Sequence, residues 1–262
     1  EPIYRKQMNI EPNDQYYLEQ WAHDNTGQAV SYGGSYVGTP DCDTDTNEAW
    51  DISTGNSESI IAILDTGVST HSEFIGRLTS GYNFISNNTN ASDDQGHGTA
   101  CAGIAAAKGN NSIGIAGISY NSGIAGIRLV SENCAYSYEE EYTLNDLAIS
   151  QALIHEFQNI DIYTNSWGPE DDGKTLGHVG PLTIAAFEKG VTEGRAGLGS
   201  IYVWSNGNGL DNNDYSNKDG YANSRYTIAV GAINWQGKQT TYSEHGPNIL
   251  VSAPSHNGSE LL

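Results

Sequence analysis

The stretch Ile60-Ile61-Ala62-Ile63-Leu64-Asp65-Thr66-Gly67-Val68 decides the architecture. An unbroken apolar run, rich in β-branched residues and closed by Asp-Thr-Gly, is the pattern of a short strand buried on both faces at the centre of a parallel sheet. Such a strand delivers the Asp65 carboxylate to the sheet edge. Working outward, Asp94-Gln95-Gly96-His97-Gly98-Thr99-Ala100-Cys101-Ala102-Gly103 reads as a helix start. His97 stands between two glycines, and the small residues at 102–107 let other backbone come close. A carboxylate at a strand end and an imidazole opening the next helix suit proton transfer. The carboxylate fixes the tautomer and favours the imidazolium, while the imidazole takes a proton from a nucleophile.

The rest of the chain repeats this alternation. Residues 81–84 read as a second short strand, 86–94 as a polar loop and 123–130 as a third strand. An acidic, solvated stretch at 137–142 follows. Leu144, Leu147, Ala148, Gln151, Ala152 and Ile154 keep helical spacing, with Thr143 as the expected N-cap. A strand at 160–166, a helix at 181–193 and a strand at 200–205 complete the pattern. The fold class is therefore α/β, an open parallel sheet with helices on both faces. Ligands belong at the carboxyl ends of its strands, where Asp65, Trp167 and Ser205 emerge. His23, His71, His155, His245 and His256 read as ordinary surface or loop residues, and the acidic turn at 39–45 as a solvated loop.

At 262 residues, the chain suits one large domain. An N-terminal arm is expected over 1–50 and the main domain over 51–262. No apolar run approaches the roughly 20 residues of a membrane span, and the N-terminus lacks a signal-peptide pattern, so any targeting or pro-segment is expected to have been removed. The formal charge of −21, from 32 acidic and 11 basic residues, argues against nucleic acid and anionic membranes and would attract cationic substrates. Solubility alone also explains it. Three cysteines are too few to staple this length. Cys101, four residues after His97, is expected beneath the site as a packed thiol. Cys42 and Cys134 could pair with each other or with partners outside the chain.

The order Asp65 then His97, with 161–174 (containing Asn165-Ser166-Trp167-Gly168-Pro169-Glu170-Asp171-Asp172) and 190–204, resembles the subtilases, and among them the kexin and furin branch. The resemblance runs from about residue 13 to 254. It implies a subtilisin-like fold, a secreted protein (extracellular or periplasmic), serine endopeptidase activity on polypeptides, and calcium as the cofactor. In Trp204-Ser205-Asn206-Gly207-Asn208-Gly209 it places the oxyanion donor at Asn208. The backbone of Ser166, Trp167 and Gly168 becomes a wall of the substrate cleft.

For calcium, the resemblance implies one site from Asp14 in the arm, Glu73, the Asn111 side chain and the carbonyls of Gly109, Ile113 and Ile115. Asp171, Asp214 and Glu244 become a second calcium site. Asp219 with Asp171 receives an arginine or lysine before the scissile bond, and Asp94 a second basic residue. Clustered carboxylates repel unless a cation compensates them, which is the physical reason to expect metal and cationic substrate together. Fourth-subsite acids would fall at Ile149 and near Gly177, where neither residue is acidic.

A hydrolase of this type needs a serine in a Gly-Thr-Ser-small-small-small-Pro helix start, and none of the 262 residues supplies one. The resemblance places it beyond Leu262, so the C-terminal part of the fold is expected to lie outside this chain. A nicked protease whose remainder stays bound, a truncated product and a binding module that has lost catalysis are the competing expectations. A propeptide, chaperone or inhibitor is a further expected partner.

Overall fold

The computed structural model describes residues 11–29, 37–79, 81–131 and 144–256. Seven strands, β1 (Ile60–Asp65), β2 (Tyr82–Asn83), β3 (Gly123–Arg128), β4 (Ile162–Asn165), β5 (Ile201–Ser205), β6 (Thr227–Ile233) and β7 (Ile249–Pro254), form one sheet. Their order is β2-β3-β1-β4-β5-β6-β7, and every pairing is parallel. The α-helices among the described residues are α1 (Thr46–Trp50), α2 (His97–Ala106), α3 (Asp146–Leu153) and α4 (Pro181–Gly197).

Side-chain alternation along β1 explains the two covered faces. Ala62 and Leu64 pack with Ile149, Leu153 and Phe187 of α3 and α4. Ile61 and Ile63 point the other way, onto Ala102 and Ala106 of α2. The strand is apolar throughout because both of its faces are interior. Its neighbours are β3, reached on one side, and β4, reached on the other. The chain thus departs in opposite directions around β1, and such a switch point opens a crevice at the carboxyl edge.

The arm packs on this domain through Tyr17 and Trp50, buried with Ala116 and Tyr120, and through Trp21 against Trp235. Three local expectations are corrected. The N-cap of α3 is Asn145, whose side chain accepts from the Ala148 amide at 3.0 Å, and not Thr143, which lies outside the described residues. His23 is buried, stacked on Tyr17 and near Trp50, with Nε2 2.9 Å from the Ala116 carbonyl oxygen; burial lowers its pKa. His155 is half-buried against Tyr82 and Phe84. Imidazole rings pack as aromatics where a nearby aromatic wall offers area. The expected helix end at Glu193 agrees with the backbone, which leaves helical geometry at Gly194, Arg195 and Ala196. Cys42 has no disulfide partner among the described residues, and Cys134 and the stretch 137–142 lie outside them. No helix among the described residues is long and apolar enough to cross a membrane.

Candidate active site

Asp65 ends β1 with 1% exposure, and its Oδ1 lies 2.6 Å from His97 Nδ1. Gly98 makes that approach fit, since a Cβ there would collide with the Gly67 carbonyl oxygen and crowd Asp65. The Thr66 amide donates to Asp65 Oδ1 at 2.7 Å, and the Gly98 amide donates to the Thr66 hydroxyl at 2.9 Å. The hydrogen bond that His97 donates to Asp65 raises the His97 pKa, outweighing burial. The ring is otherwise 56% exposed, so its second nitrogen is available to a third group. This arrangement can hold an imidazole in one tautomer and stabilise it when it takes up a proton.

The adjacent acids take different positions. Asp93 accepts from the Thr66 hydroxyl, the amides of Gln95, Gly96 and Thr99, and the Thr99 hydroxyl. Against the cost of burial, these bonds hold its carboxyl down at about 2. Sequence reasoning missed this role, because an Asp-Asp doublet does not say which member turns inward. Asp94 is the outward member, 57% exposed and paired with Arg128, and it lies apart from the acid-lined pocket described below. Cys101 sits under the pair, its sulfur 3.8 Å from the Ser166 hydroxyl; burial pushes the thiol up to about 11, which makes it an inert packing group at neutral pH.

Past the ends of β4 and β5, a pocket is lined by Ser166, Trp167, Gly168, Asp171, Asn208 and Asp219, together with Asp214, Lys218 and Glu244. The Trp204 indole donates to the Trp167 carbonyl at 2.7 Å and fixes this wall. Asn208 is exposed at the pocket, and its amide N–H donates to Asp171 Oδ2 at 3.0 Å. Asn206 is instead buried, tied to the Ser243 hydroxyl and the Glu244 carbonyl. Of the two, Asn208 is the exposed one and lines the pocket.

Asp219 lies beside Gly168, where a Cβ would stand 2.9 Å from Oδ2. Tyr221 donates its amide to Asp219 at 2.7 Å, and its ring stacks on Trp204. Burial, offset by the Tyr221 and Ala222 amides and reinforced by the charges of Asp171 and Asp214, pushes Asp219 up to about 6. Asp171, Asp214 and Glu244 meet around Gly209, where a Cβ would crowd all three. Burial first, then the Asp171 and Asp214 charges, push Glu244 up to about 7. The sequence missed one member of this group. Lys218 directs its ammonium to the Gly173 carbonyl at 2.7 Å and to Asp214 Oδ1 at 3.5 Å. A lysine in a polar loop carries no sequence signal for an inward role. The expected fourth-subsite positions are core (Ile149) and a bridge partner of Asp219 (Gly177).

The first expected cation site is drawn together from three distant segments. Asp14 is 6% exposed and accepts from the Asn110 and Asn111 amides at 2.6 and 3.3 Å. Glu73 is 4% exposed, and its Oε2 accepts from the side-chain Nδ2 of Asn111 at 2.9 Å. Its Oε1 is buried, has no hydrogen-bond partner among the described residues and faces Gly114, where a Cβ would collide with it. The carbonyls of Gly109, Ile113 and Ile115 belong to the same loop. A buried, unpartnered carboxylate oxygen beside oxygen-bearing loops fits a hard cation such as calcium. The second set fits less well, because one of its acids, Asp214, already faces the Lys218 ammonium at 3.5 Å.

Residues 56–261 match the Subtilase family. "Neuroendocrine convertase 2" of Homo sapiens is 36% identical over 259 residues, covering 95% of this chain and 38% of that protein. "PC3-like endoprotease variant B" of Hydra vulgaris is 34% identical over 256 residues, covering 95% of this chain and 33% of that protein. The chain thus spans well under half the length of these curated relatives. Among solved structures, the Aeromonas sobria serine protease in complex with the chaperone ORF2 superposes with a TM-score of 0.78 at 19% identity, covering 94% of this chain and 43% of that one. A protease of Pseudoalteromonas arctica superposes with a TM-score of 0.72 at 23% identity, covering 93% and 72%. These two share the fold.

Proposed function

Because the chain belongs to the subtilase family, we propose that it carries the acid, base and oxyanion donor of a kexin-like serine endopeptidase. The observation that carries this reading is the 2.6 Å contact between buried Asp65 and His97 at the switch point of the sheet. Asp65 orients His97, and His97 takes the proton of a serine hydroxyl as it attacks the peptide carbonyl, then returns it to the leaving amine. Asn208 donates to the oxyanion. The serine is supplied from sequence beyond these 262 residues.

The substrate is a polypeptide bound along the Ser166–Gly168 wall as an added extended segment. An arginine or lysine before the scissile bond enters the pocket and pairs with Asp219 and Asp171. The raised pKa of Asp219 supports this, since a carboxylate that is costly to ionise alone becomes favourable beside a cation. Asp94 gives a second basic residue little, because Arg128 already engages it. Calcium is held by Asp14, Glu73, Asn111 and the carbonyls of Gly109, Ile113 and Ile115. It supplies charge compensation there and ties the arm to the domain. The protein is secreted, and a chaperone or propeptide partner is part of this reading.

The test is fluorophosphonate labelling of the natural protein, followed by intact mass and peptide mapping. The expected adduct lies on a serine outside residues 1–262 and is lost in the His97→Ala variant. An adduct on Ser166 or Ser205, or labelling indifferent to His97, overturns the assignment.

A further inference from the structure

We propose that the Lys218 ammonium is a built-in cation for the Asp171, Asp214 and Glu244 cluster and takes the place of a second metal ion there. Lys218 is held on both sides. Its amide donates to the Tyr215 carbonyl at 2.8 Å, and its carbonyl accepts from the Gly177 amide at 2.9 Å. From this fixed base the side chain passes over the Tyr215 ring, 5.3 Å from its centroid, and ends among three oxygens: Gly173 O at 2.7 Å, Asn213 O at 3.5 Å and Asp214 Oδ1 at 3.5 Å. Two carbonyls and a carboxylate are the donor set a hard cation seeks. Here they surround a tethered ammonium.

Asp214 is committed to this arrangement. Its Oδ2 accepts from the Gly173 amide at 2.8 Å, and its Oδ1 accepts from the Tyr215 amide at 2.8 Å besides facing Lys218. Calcium–oxygen bonds of about 2.4 Å require ligand oxygens within about 5 Å of one another. Among the described residues, the only trio of His, Cys, Asp or Glu ligand atoms mutually within 4.8 Å is Asp65, His97 and Cys101. Asp171, Asp214 and Glu244 share a neighbourhood without closing into a metal cage. Lys218 also joins the turn carrying Asp171 to the loop carrying Asp214, a linkage a bound ion would otherwise make.

This inference uses the proposed pocket but does not need catalysis, so its test reads metal binding directly. The whole protein, stripped with chelator, is titrated with calcium by calorimetry as wild type, Lys218→Met and Asp214→Asn, each checked for folding by circular dichroism. Wild type and Asp214→Asn are expected to show one binding event, removed by Glu73→Gln, whereas Lys218→Met gains a second. Loss of an event on Asp214→Asn overturns the proposal, as does a folded Lys218→Met protein that titrates like wild type. If Lys218→Met does not fold, the Asp214→Asn titration decides alone. No event in wild type with one in Lys218→Met would remove the calcium assignment at Asp14 and Glu73 while sustaining the role of Lys218.

Discussion

The carboxyl edge of the sheet holds two acidic regions in opposite electrostatic states. At the end of β1, the buried Asp65 has its counter-group within the chain, and His97 is shifted toward its protonated form. Beyond β4 and β5, Asp219 and Glu244 are pushed the other way, toward neutrality, by burial and by each other's neighbours. One region is complete as folded. The other is a partly compensated well of negative charge that favours an incoming cation. Pairing and crowding of the same residue types thus separate a proton-handling site from a recognition site.

The sharpest way to break the comparison is to remove the pairing. Asp65→Asn, in the protein that carries the nucleophile, is expected to lower kcat about 10⁴-fold. It should also return the His97 pKa, followed by NMR, toward its ordinary value; an unchanged titration would mean that Asp65 does not govern the ring. Asn208 belongs to the second region, where it lines the pocket and its backbone amide donates to Asp171. Asn208→Ala is expected to cost about 10²–10³-fold in kcat with KM little changed, and a pure KM effect would reassign it to binding.

Recognition should respond differently. Asp219→Asn is expected to lower kcat/KM for substrates with arginine before the scissile bond by about 10²-fold while sparing neutral ones. Equal losses on both would show that Asp219 only shapes the pocket.

Stability responds to pH with a sign the shifts dictate. Asp219 and Glu244 have folded values of about 6 and about 7, above their ordinary 3.8 and 4.5. The folded protein therefore binds protons that the unfolded chain has released, and stability falls as pH rises from about 4 to about 7. His97 acts in the same direction: its contribution is present below its unfolded value and is lost as pH rises through its raised folded value. Asp93 acts oppositely, its contribution being present above 3.8 and lost as pH falls toward about 2. Melting temperature measured against pH should thus peak at about pH 4 to 5, and benzamidine, a small cation, should reduce the fall above it. A Tm that climbs steadily to pH 7 would contradict the crowded state of the second region. The calcium loop gives the smallest effect. At calcium 100-fold above its Kd, Tm should rise by the equivalent of about 2.7 kcal/mol, and Glu73→Gln should abolish the rise.

What could be read from the sequence follows the same division. The strand ending in Asp65 and the helix opening at His97 are local patterns, and periodicity places each without tertiary knowledge. The extent of α4 to Glu193 is legible for the same reason. The partners of the acidic pocket come from loops at 171, 214, 219 and 244, whose spacing has no period. There the resemblance named the acids, but it could not show Lys218 turned among them. His23 was hidden because its burial depends on Trp50 and the Ala116 carbonyl, which only the folded arm brings near.

The position of β1 also has a kinetic meaning. Its two neighbours enter the sheet about 60 and about 100 residues later in the chain. No local hairpin can nucleate this centre, so the strand that holds Asp65 must wait, unpaired and apolar, for distant segments to arrive. Folding is therefore expected to be slow and prone to side reactions among unpaired edges. A surface that shelters β1 during that interval would raise the yield of native protein without contributing anything to its final stability.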